Sequence, residues 1–537
     1  MATVKANGSG ESTSVWMSTR VPESEAALPD LAQTDVCVVG AGIAGLSAAY
    51  ELTLRGLRVL VLDNGPIGGG ETARTTAHLA SALDDRFVEL TRLHGERGAQ
   101  LAAQSHASAV TRIETIAVAE QFECDFRRVR GYLFQKAGDD PKDLVVELSA
   151  ARRAGLAGAQ LVERAPIHGF DTGPAVMFPD QGEFNPLAYV SGLARAIERR
   201  GGLIVSGVHV TRVDDGPRPK VVTADGHVIE ASFVVVATNA PINSLAELPL
   251  KQHAYRSYAV ALSIPNGSVP HALYWDTEDP YHYVRVVTDP RSKLDFLVVG
   301  GEDHRTGQET DDDAAHRYQR LIDWASVRFP TAGEATAKWS GQVLEPIDGL
   351  AFIGLCPGNT NTYLITGDSG HGMTHGVVGG VLCADLITGQ PNALAALYSP
   401  SRRTLRALGN FLKKTVNTSA QYADWFTPGD VSSTDTIPVN GGAVIRRGMA
   451  KLAVYRDEAG RCHERSAVCP HLGGIVAWND AEKSWDCPCH GSRFDALGRV
   501  IAGPAVDDLT STEGGEDAGT PESGDRRTNP WLEREGA

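Results

Sequence analysis

The chain is 537 residues long, 42% of its residues are hydrophobic, 22% are charged, and its formal net charge is −16. This length and ordinary composition predict two or three globular domains with a substantial core. The excess of acidic residues argues against nucleic acid or an anionic membrane as a partner, because both bind basic surfaces. No apolar run approaches the roughly 20 residues that a membrane-spanning helix requires, so no transmembrane segment is expected.

The first part of the chain, residues 1–34, is polar and rich in proline, serine and glutamate. It lacks the apolar core of a secretory signal and a twin-arginine pair, so we expect a polar N-terminal extension on a cytoplasmic protein. The cysteines agree with this compartment, because four of the eight crowd into residues 462–489. In a reducing cytosol such a cluster binds metal more often than it forms disulfides.

The next segment alternates strand and helix patterns. Residues 36–39 predict a buried strand, a helical pattern follows, and a second strand ends at Asp63. Between the first strand and the helix, a G-x-G-x-x-G motif is formed by Gly40, Gly42 and Gly45. In this context the motif is typical of a dinucleotide site, where the glycines allow a tight turn, a close pyrophosphate and helix–strand contact. The carboxylate of Asp63 would accept hydrogen bonds from ribose hydroxyls.

The remaining elements divide the chain further. Residues 91–123 predict one long helix or two, and residues 233–238 predict another buried strand. Aromatic, alternating segments between about 251 and 301 predict antiparallel strands. A strand, a glycine-rich turn and a helix return at residues 362–389, and short strands from residue 436 predict a small all-β domain.

Four motifs in order over roughly residues 35–412 resemble the D-amino-acid oxidase and glycine oxidase superfamily of flavoproteins. Residues 68–78, GGGETARTTAH, resemble the segment that wraps the flavin, and residues 233–241, FVVVATNAP, resemble the strand that re-enters the nucleotide domain. Residues 343–354, VLEPIDGLAFIG, resemble the segment before the closing helix, and residues 366–376, TGDSGHGMTHG, resemble the closing turn beside the flavin ring. The resemblance implies a two-dinucleotide-type FAD domain and FAD as the cofactor. The positions that would bind it are Gly40, Gly42, Gly45, Asp63, Arg74, Thr75, Thr76, Gly367, Gly370, Gly372, Met373 and Thr374.

Two short loops near the C-terminus offer four metal ligands. Cys469 and His471 form one pair, and Cys487 and His490 form the other. Zinc is an alternative, because two Cys and two His also make a structural zinc set. Each loop gives one Cys and one His, however, and this alternation suits a Rieske [2Fe–2S] centre, in which two thiolates bind one iron and two imidazoles the other. The surrounding sequences CPHLGG and CPCHGSRFD also resemble Rieske domains, over about residues 436–507.

Departures from the usual Rieske pattern give further expectations. Many respiratory members carry a cysteine where this chain has Gly474, so Cys489 has no disulfide partner there and a reducing compartment is indicated. Ser492 is retained, and its hydroxyl could donate to the cluster and raise its potential. Phe494 stands where a tyrosine often donates to a cysteine sulfur, so that second donor is missing and a potential below the respiratory type is expected.

The superfamily resemblance implies a substrate with a CH–NH bond, and such sites commonly hold a carboxylate with arginine and tyrosine. If strand alternation holds, Tyr281, Tyr283 and Arg285 share one face and are candidate substrate-binding residues. An ordinary sheet face with an arginine at its edge is the alternative. No catalytic base is identified.

The fold class that follows is an α/β FAD-binding domain (Rossmann-like, two-dinucleotide type) with an antiparallel-sheet substrate subdomain, followed by a small all-β Rieske domain. The expected ranges are 1–34 for the extension, 35–415 for the FAD domain with its substrate subdomain mainly at 251–335, 416–435 for a linker, 436–507 for the Rieske domain and 508–537 for a disordered acidic tail. The leading function is a flavin-dependent oxidation of an amine or amino acid, with electrons leaving through the cluster to an external one-electron acceptor. The alternatives are a reductase or hydroxylase that receives electrons through the cluster, and a redox carrier or sensor without turnover.

Overall fold

The computed structural model describes residues 10–23, 28, 33–136, 138–242, 248–289, 292–308, 314–407, 421, 424–425 and 427–512. Parts of the expected N-terminal extension and linker, and residues 513–537 of the expected tail, lie outside this description. The helices in chain order are α1 (Ile43–Leu54), α2 (Arg86–Ala119), α3 (Lys142–Arg153), α4 (Pro186–Arg199), α5 (Ala314–Arg328), α6 (Gly372–Ile387) and α7 (Ala395–Tyr398).

The strands of the first two-thirds of the chain are β1 (Gln33–Val39), β2 (Val59–Asp63), β3 (His78–Leu79), β4 (Arg127–Phe134), β5 (Gln160–Val162), β6 (Ala175–Glu183), β7 (Leu203–Ser206), β8 (Val210–Asp214), β9 (Lys220–Thr223), β10 (Val228–Val236), β11 (Gln252–Pro265), β12 (Leu273–Asp276), β13 (His282–Val287), β14 (Leu294–Arg305), β15 (Ala335–Pro346), β16 (Phe352–Leu355) and β17 (Thr362–Thr366). The later strands are β18 (Gly441–Arg447), β19 (Ala450–Arg456), β20 (Cys462–Ser466), β21 (Ala477–Asn479), β22 (Ser484–Asp486), β23 (Arg493–Asp495) and β24 (Val500–Ala502).

The first sheet has the order β16-β17-β10-β1-β2-β7, with β8 and β9 attached at β10. The strands from β17 to β7 are parallel. Both faces of β1 and β2 are covered, which explains why these strands are apolar runs and do not alternate. The predicted strand–helix pattern around residues 36–63 is confirmed, whereas the helix predicted for 91–123 starts at Arg86 and breaks at Gly95, where φ is 73°.

The second sheet has the order β15-β11-β14-β13-β12-β4-β6-β3 and confirms the antiparallel strands predicted between 251 and 301. Its side chains alternate between two environments. Val284 and Val286 of β13 lie in one core cluster with Leu321 of α5, while Tyr283 packs against the main core on the other side. The two sheets and helices α1–α7 together are called the nucleotide domain below.

The last strands form two small sheets, β18-β19-β20 and β21-β22-β23-β24. Their shared core contains the fully buried Trp485 and Phe494. This unit, called the C-terminal domain below, confirms the small all-β domain expected after residue 436. Across the described ranges, none of the helices combines the length and apolarity that crossing a membrane would take.

Candidate functional site

The glycine turn between β1 and α1 is built as the motif predicts. Gly40 has a φ of 111°, which favours glycine, and a Cβ on Gly45 would lie 1.8 Å from the carbonyl oxygen of Gly40. Asp63, at the end of β2, accepts hydrogen bonds from the backbone N–H groups of Ala41 at 2.5 Å and Gly65 at 2.8 Å. Burial nevertheless raises the pKa of Asp63. The turn therefore presents backbone N–H groups and one carboxylate at the same edge of the sheet.

A cavity of about 310 Å³ extends from this turn to the second sheet. Most of the residues predicted to bind FAD line it, and Gly45 and Thr374 lie outside the lining. The predicted residues on its surface are Gly40, Gly42, Asp63, Arg74, Thr75, Thr76, Gly367, Gly370, Gly372 and Met373. Residues far apart in the sequence are thus brought together in one cavity with glycine-rich walls and helix N-termini, which fits an FAD molecule.

The structure places Arg74 differently from its neighbours. Thr75 and Thr76 line the cavity, but the Arg74 guanidinium turns to the C-terminal domain and donates to the Glu482 carboxylate at 3.2 Å. It also donates to the carbonyl oxygens of Ser340 at 3.1 Å and Gly10 at 2.6 Å. The side chain of Arg74 therefore holds two parts of the chain together, and its position in the flavin-wrapping motif leaves only its backbone and stem beside the cavity.

The predicted closing turn leads into α6, whose first residue, Gly372, lines the cavity. The positive end of the helix dipole therefore faces the cavity, and it favours an anionic group there. Thr374 lies behind the turn, where its hydroxyl contacts Nδ1 of His106 at 2.7 Å. In this position Thr374 supports the turn from the protein side.

Three histidines form a buried cluster beside the turn. His371 caps α6 and His375 lies in its first turn, while His106 comes from α2. Nε2 of His371 accepts the backbone N–H of Asp84 at 2.9 Å, and Nδ1 of His375 is 2.8 Å from the Asp368 carbonyl, to which it donates. Burial lowers the pKa of His371 to about 4 and that of His375 to about 3. All of these contacts suit neutral rings, so the cluster carries no positive charge at neutral pH.

The candidate substrate residues separate into two groups. Tyr281 and Tyr283 line the cavity, with ring centroids 5.5 Å apart, and the Tyr283 hydroxyl is 2.7 Å from Oγ of Ser257. Arg285 does not line it. Its guanidinium donates to the carbonyl oxygens of Ala77 at 2.7 Å and Phe184 at 3.1 Å and lies over the Trp16 ring. The structure therefore brings the two tyrosines to the cavity and keeps the arginine away from it.

Two carboxylates that sequence reasoning missed lie beside these tyrosines. Asp84 and Asp303 both line the cavity, and Tyr281 donates a hydrogen bond to Asp84. Burial raises the pKa of Asp84 to about 7 and that of Asp303 to about 6. About a third of the Asp84 side chain is accessible, and this surface opens into the cavity that the residue lines. Asp303 lies among the charged residues 302–305 at the end of β14, so no sequence signal distinguished it.

The predicted metal ligands meet in the C-terminal domain. The thiols of Cys469 and Cys487 hydrogen bond to each other, and the rings of His471 and His490 are 5.1 Å apart. Among the described residues, no three of these donors lie within 4.8 Å of one another, whereas ligands of a single tetrahedral zinc would be about 3.5 Å apart. Two cysteines on one side and two histidines on the other fit a two-iron cluster.

The surroundings of these ligands also fit a cluster. A Cβ on Gly474 would lie 2.6 Å from Sγ of Cys489 and 3.2 Å from Sγ of Cys487, so this glycine leaves the space that the sulfurs occupy. The Ser492 hydroxyl contacts Cys469 and accepts the backbone N–H of Ala505 at 3.0 Å. All eight cysteines are in the described part of the chain, and none of them forms a disulfide.

A buried ionic network joins the two domains. Glu482 of the C-terminal domain is 3.2 Å from Arg74 and 3.2 Å from Arg256 of the nucleotide domain, and all three side chains are fully buried. Burial opposes the ionisation of Glu482, but the nearby Arg74, Arg256 and Arg493 outweigh it and hold its pKa at about 2. The network is thus fully ionised at neutral pH.

The C-terminal domain also contacts the cavity directly. Gln342 of β15 lines the cavity, and its side chain donates to the carbonyl oxygen of Gly491 at 3.0 Å. Gly491 follows the ligand His490 in the chain. Residues 500–503 and Ala505 of the C-terminal domain complete another part of the cavity wall. The cluster loop and the cavity are therefore separated by a single residue at this point.

Comparison with known proteins agrees with these two sites. Residues 35–386 match the family described as FAD dependent oxidoreductase, and residues 428–513 match the Rieske [2Fe-2S] domain. The Rieske 2Fe-2S iron-sulfur protein YhfW of Bacillus subtilis is 30% identical over 92% of this chain and 96% of its own length. Gamma-glutamylputrescine oxidoreductase of Escherichia coli is 26% identical over 69% of this chain and 89% of its own length.

Solved structures support the fold. Glycine oxidase from Geobacillus kaustophilus superposes with a TM-score of 0.58 at 20% identity, over 69% of this chain and 99% of that one. The predicted fold class and both cofactors, FAD and a [2Fe–2S] cluster, are confirmed. The chain thus belongs to the FAD dependent oxidoreductase family and carries a C-terminal Rieske domain, which makes it an FAD-dependent oxidoreductase with an iron–sulfur centre.

Proposed function

We propose that this protein oxidises the CH–NH bond of a small amine or amino acid and passes the electrons through its Rieske cluster to an external one-electron acceptor in the cytoplasm. Bound FAD supplies two-electron hydride chemistry, and the cluster supplies one-electron transfer. Histidine ligation raises the potential of a [2Fe–2S] centre above that of most all-cysteine clusters, so electron flow from flavin to cluster is downhill.

The contact made by Gln342 carries this proposal. This residue lines the cavity and donates to the carbonyl oxygen of Gly491, beside the cluster ligand His490. The neighbouring carbonyl of Pro488 accepts a second hydrogen bond from the Gln308 side chain at 3.3 Å. A carrier that never meets a substrate has no need of a lined cavity next to its cluster loop, so the arrangement favours turnover at the cavity with the cluster as the exit.

The residues around the cavity have distinct roles in this proposal. The turn with Gly40 and Gly42 and the Asp63 carboxylate would hold the nucleotide part of FAD, and the N-terminus of α6 would face its ring. Tyr281 and Tyr283 would contact the substrate. The curated relative named for gamma-glutamylputrescine supports a nitrogen-containing substrate for the same domain.

An anaerobic stopped-flow experiment tests the proposal. The holoprotein is mixed with a pool of glycine, N-methyl amino acids, D-amino acids and aliphatic amines, and the absorbances of flavin and cluster are followed together. We expect the flavin to be bleached first and the cluster afterwards. A Cys469→Ser variant should keep the first phase and lose the second. If no member of the pool bleaches the flavin and only an external reductant reduces the cluster, the opposite direction of electron flow is correct.

A further inference from the structure

One wall of the cavity, formed where the second sheet meets the start of α2, carries acidic and aromatic side chains. Asp84, Tyr281, Tyr283 and Asp303 all line it. They are connected, because Tyr281 hydrogen bonds to Asp84, the two tyrosine rings are neighbours, and Ser257 contacts both Tyr283 and Asp303. We call these four residues with Trp275 of β12 the acidic wall.

The carboxylates of the acidic wall accept hydrogen bonds from neutral hydroxyl groups. Asp84 accepts from a tyrosine hydroxyl and Asp303 from the Ser257 hydroxyl. Oδ1 of Asp303 is shielded from solvent and has no hydrogen-bond partner among the described residues. Partial removal from water makes these carboxylates costly to ionise and raises the pKa of both groups, and the nearby Arg317 opposes this effect at Asp303 without cancelling it. A cation placed between them would remove that cost.

No positive side chain of the described residues is available in the cavity to hold a substrate carboxylate. Arg74 is the one Lys or Arg among the described lining residues, and its guanidinium is bound to Glu482. Arg256 pairs with the same glutamate, and Arg285 donates to backbone carbonyls outside the cavity. His371 is neutral, because its Nε2 accepts the backbone N–H of Asp84. A substrate carboxylate beside Asp84 and Asp303 would face two acidic groups without a lysine or arginine of the described lining to compensate it, and the proposed function gives the N-terminus of α6 to the flavin.

The aromatic members of the acidic wall also favour a cationic ligand. Tyr281 and Tyr283 lie 5.5 Å apart with their rings tilted, and Trp275 lines the cavity beside them. Tyrosine and tryptophan rings attract ammonium groups through their electron-rich faces. The wall therefore offers both kinds of group that recognise an organic ammonium ion, and it offers nothing comparable to an anion.

We propose that the substrate is a small organic amine that enters as a cation at Asp84 and Asp303 and carries no carboxylate beside its amino group. The amino group that is oxidised first gives its ammonium proton to one of these carboxylates, and its C–H hydride then passes to the flavin. This inference deepens the function proposed above and rests on it for the identity of the ligand as a substrate. It names Asp303 and Asp84 as the residues that set the preference for amines over amino acids.

Two pairs of ligands that differ only in a carboxylate test this preference. Putrescine is compared with ornithine, and cadaverine with lysine, by titrating each into the oxidised holoprotein and recording the change in the flavin absorption spectrum. We expect each diamine to bind at least tenfold more tightly than its amino acid. Equal binding of the two members of a pair, tighter binding of the amino acids, or no binding of the diamines would overturn the proposal. This comparison uses the wild-type protein and depends on no variant.

Variants then test which residues produce the preference for diamines. Asp303→Asn should weaken diamine binding at least tenfold, and Asp84→Asn provides the same test from the other side of the wall. Asp295→Asn is the matched control, because Asp295 is a buried carboxylate on the same strand β14 and does not line the cavity. Equal effects of Asp303→Asn and Asp295→Asn would contradict the assignment.

Flavin reduction is recorded separately from binding, so that the two proposals fail in different ways. If amino acids bleach the flavin and diamines do not, amine oxidation in the broad sense stands and the cationic substrate is wrong. If the diamines bind selectively through Asp303 and never bleach the flavin, the cation site stands and the oxidation proposed above is wrong.

Discussion

Two regions of this molecule shift the pKa values of their carboxylates in opposite directions. At the contact between the two domains, Glu482 lies between Arg74 and Arg256, and its pKa is held at about 2. In the cavity, Asp84 and Asp303 accept hydrogen bonds from hydroxyl groups, and their pKa values are raised to about 7 and about 6, although the charge of Arg317 lowers that of Asp303. Burial is the first cause in all three cases, so the difference comes from the arginines.

This difference distinguishes a carboxylate that stabilises the structure from carboxylates that can bind a ligand. At the domain contact, the negative charge of Glu482 is balanced by arginines, so no further ligand is needed. In the cavity, the carboxylates gain an ionic partner only when a cation enters. A protein that keeps carboxylates with raised pKa values in a lined cavity accepts a cost in stability, and such sites are commonly functional. The comparison therefore supports a role for Glu482 in attachment of the Rieske domain and the proposed role of Asp303 in recognition of the substrate.

The largest effect is expected from removing a cluster ligand. Cys469→Ser should abolish the Rieske electron paramagnetic resonance (EPR) signal, because a serine hydroxyl does not replace a thiolate on iron. The domain contact should survive, since it depends on Glu482 and not on the metal. Flavin absorbance shows whether FAD stays bound, and protection of the C-terminal domain from proteolysis shows whether the domain contact survives. Cys462→Ser is the control, because Cys462 lies on β20 and is not a ligand in the proposed set. Release of the domain in Cys469→Ser would show that the cluster, rather than the ionic network, holds it.

The next largest effect is expected from breaking the ionic network. Glu482→Gln leaves Arg74 and Arg256 buried without a negative partner, which should lower the free energy of unfolding by about 3–5 kcal/mol. The unfolding midpoint, followed by loss of the cluster's visible circular dichroism, measures it. Glu464→Gln removes an exposed pair with Arg447 in the same domain and should cost at most about 1 kcal/mol. Similar losses in the two variants would contradict the role of Glu482.

The pH dependence of diamine binding tests the other region. The carboxylates attract a cation only when ionised, so affinity should fall as pH is lowered through the raised pKa values of about 7 and about 6. Below both values the loss should approach about tenfold per pH unit for each coupled proton. Tyr281, whose pKa burial raises well above its usual value, stays neutral in this range, as does His371, whose pKa is about 4. Glu345 lies nearby, and burial raises its pKa to about 8, so it ionises only at higher pH.

Flavin difference titrations of putrescine from pH 5 to pH 8 measure this effect. The diamine keeps its positive charges over this range, because aliphatic amines titrate near the lysine value of about 10.4. Asp84→Asn should make putrescine affinity less dependent on pH near pH 7, where Asp84 titrates. Binding that is constant with pH, or that strengthens on acidification, would remove the distinction between the paired and the unpaired carboxylates.

The smallest effect concerns the potential of the cluster. Ser492→Ala removes a hydroxyl that contacts Cys469, so the reduced cluster loses a hydrogen bond and its potential should fall. A loss of about 1.4 kcal/mol in the reduced state corresponds to roughly 60 mV for a one-electron couple. Phe494→Tyr should shift the potential in the opposite direction, because it restores a donor in the same core. A spectroscopic redox titration measures both, and an unchanged or raised potential in Ser492→Ala would contradict the assigned hydrogen bond.

Local sequence patterns predicted the two cofactor sites because each depends on neighbouring residues. The glycine turn is complete within residues 40–45, and the cluster ligands come from two loops with fixed spacing. The acidic wall could not be predicted in this way. Asp84 and Asp303 lie 219 positions apart (303 − 84), and only the packing of the second sheet on the start of α2 brings them into one cavity.

Two arginines show a second reason why sequence patterns give incomplete answers. Strand alternation correctly placed Tyr281 and Tyr283 toward the cavity, but Arg285 lies beyond its edge, where Trp16 covers it. Arg74 sits within a flavin-wrapping motif and still directs its guanidinium to Glu482, 408 residues further along the chain. In both cases the partner comes from a distant part of the chain, which no local pattern contains.

In the proposed function, electrons from an amine reach the Rieske cluster without any other protein. To test this, oxidised, anaerobic holoprotein is mixed with putrescine, and the low-temperature EPR spectrum is recorded without any other reductant. We expect a Rieske signal that develops with putrescine and is much weaker with ornithine. A signal that develops only after dithionite is added, with both ligands silent, would contradict amine oxidation and leave the cluster without a proposed electron source.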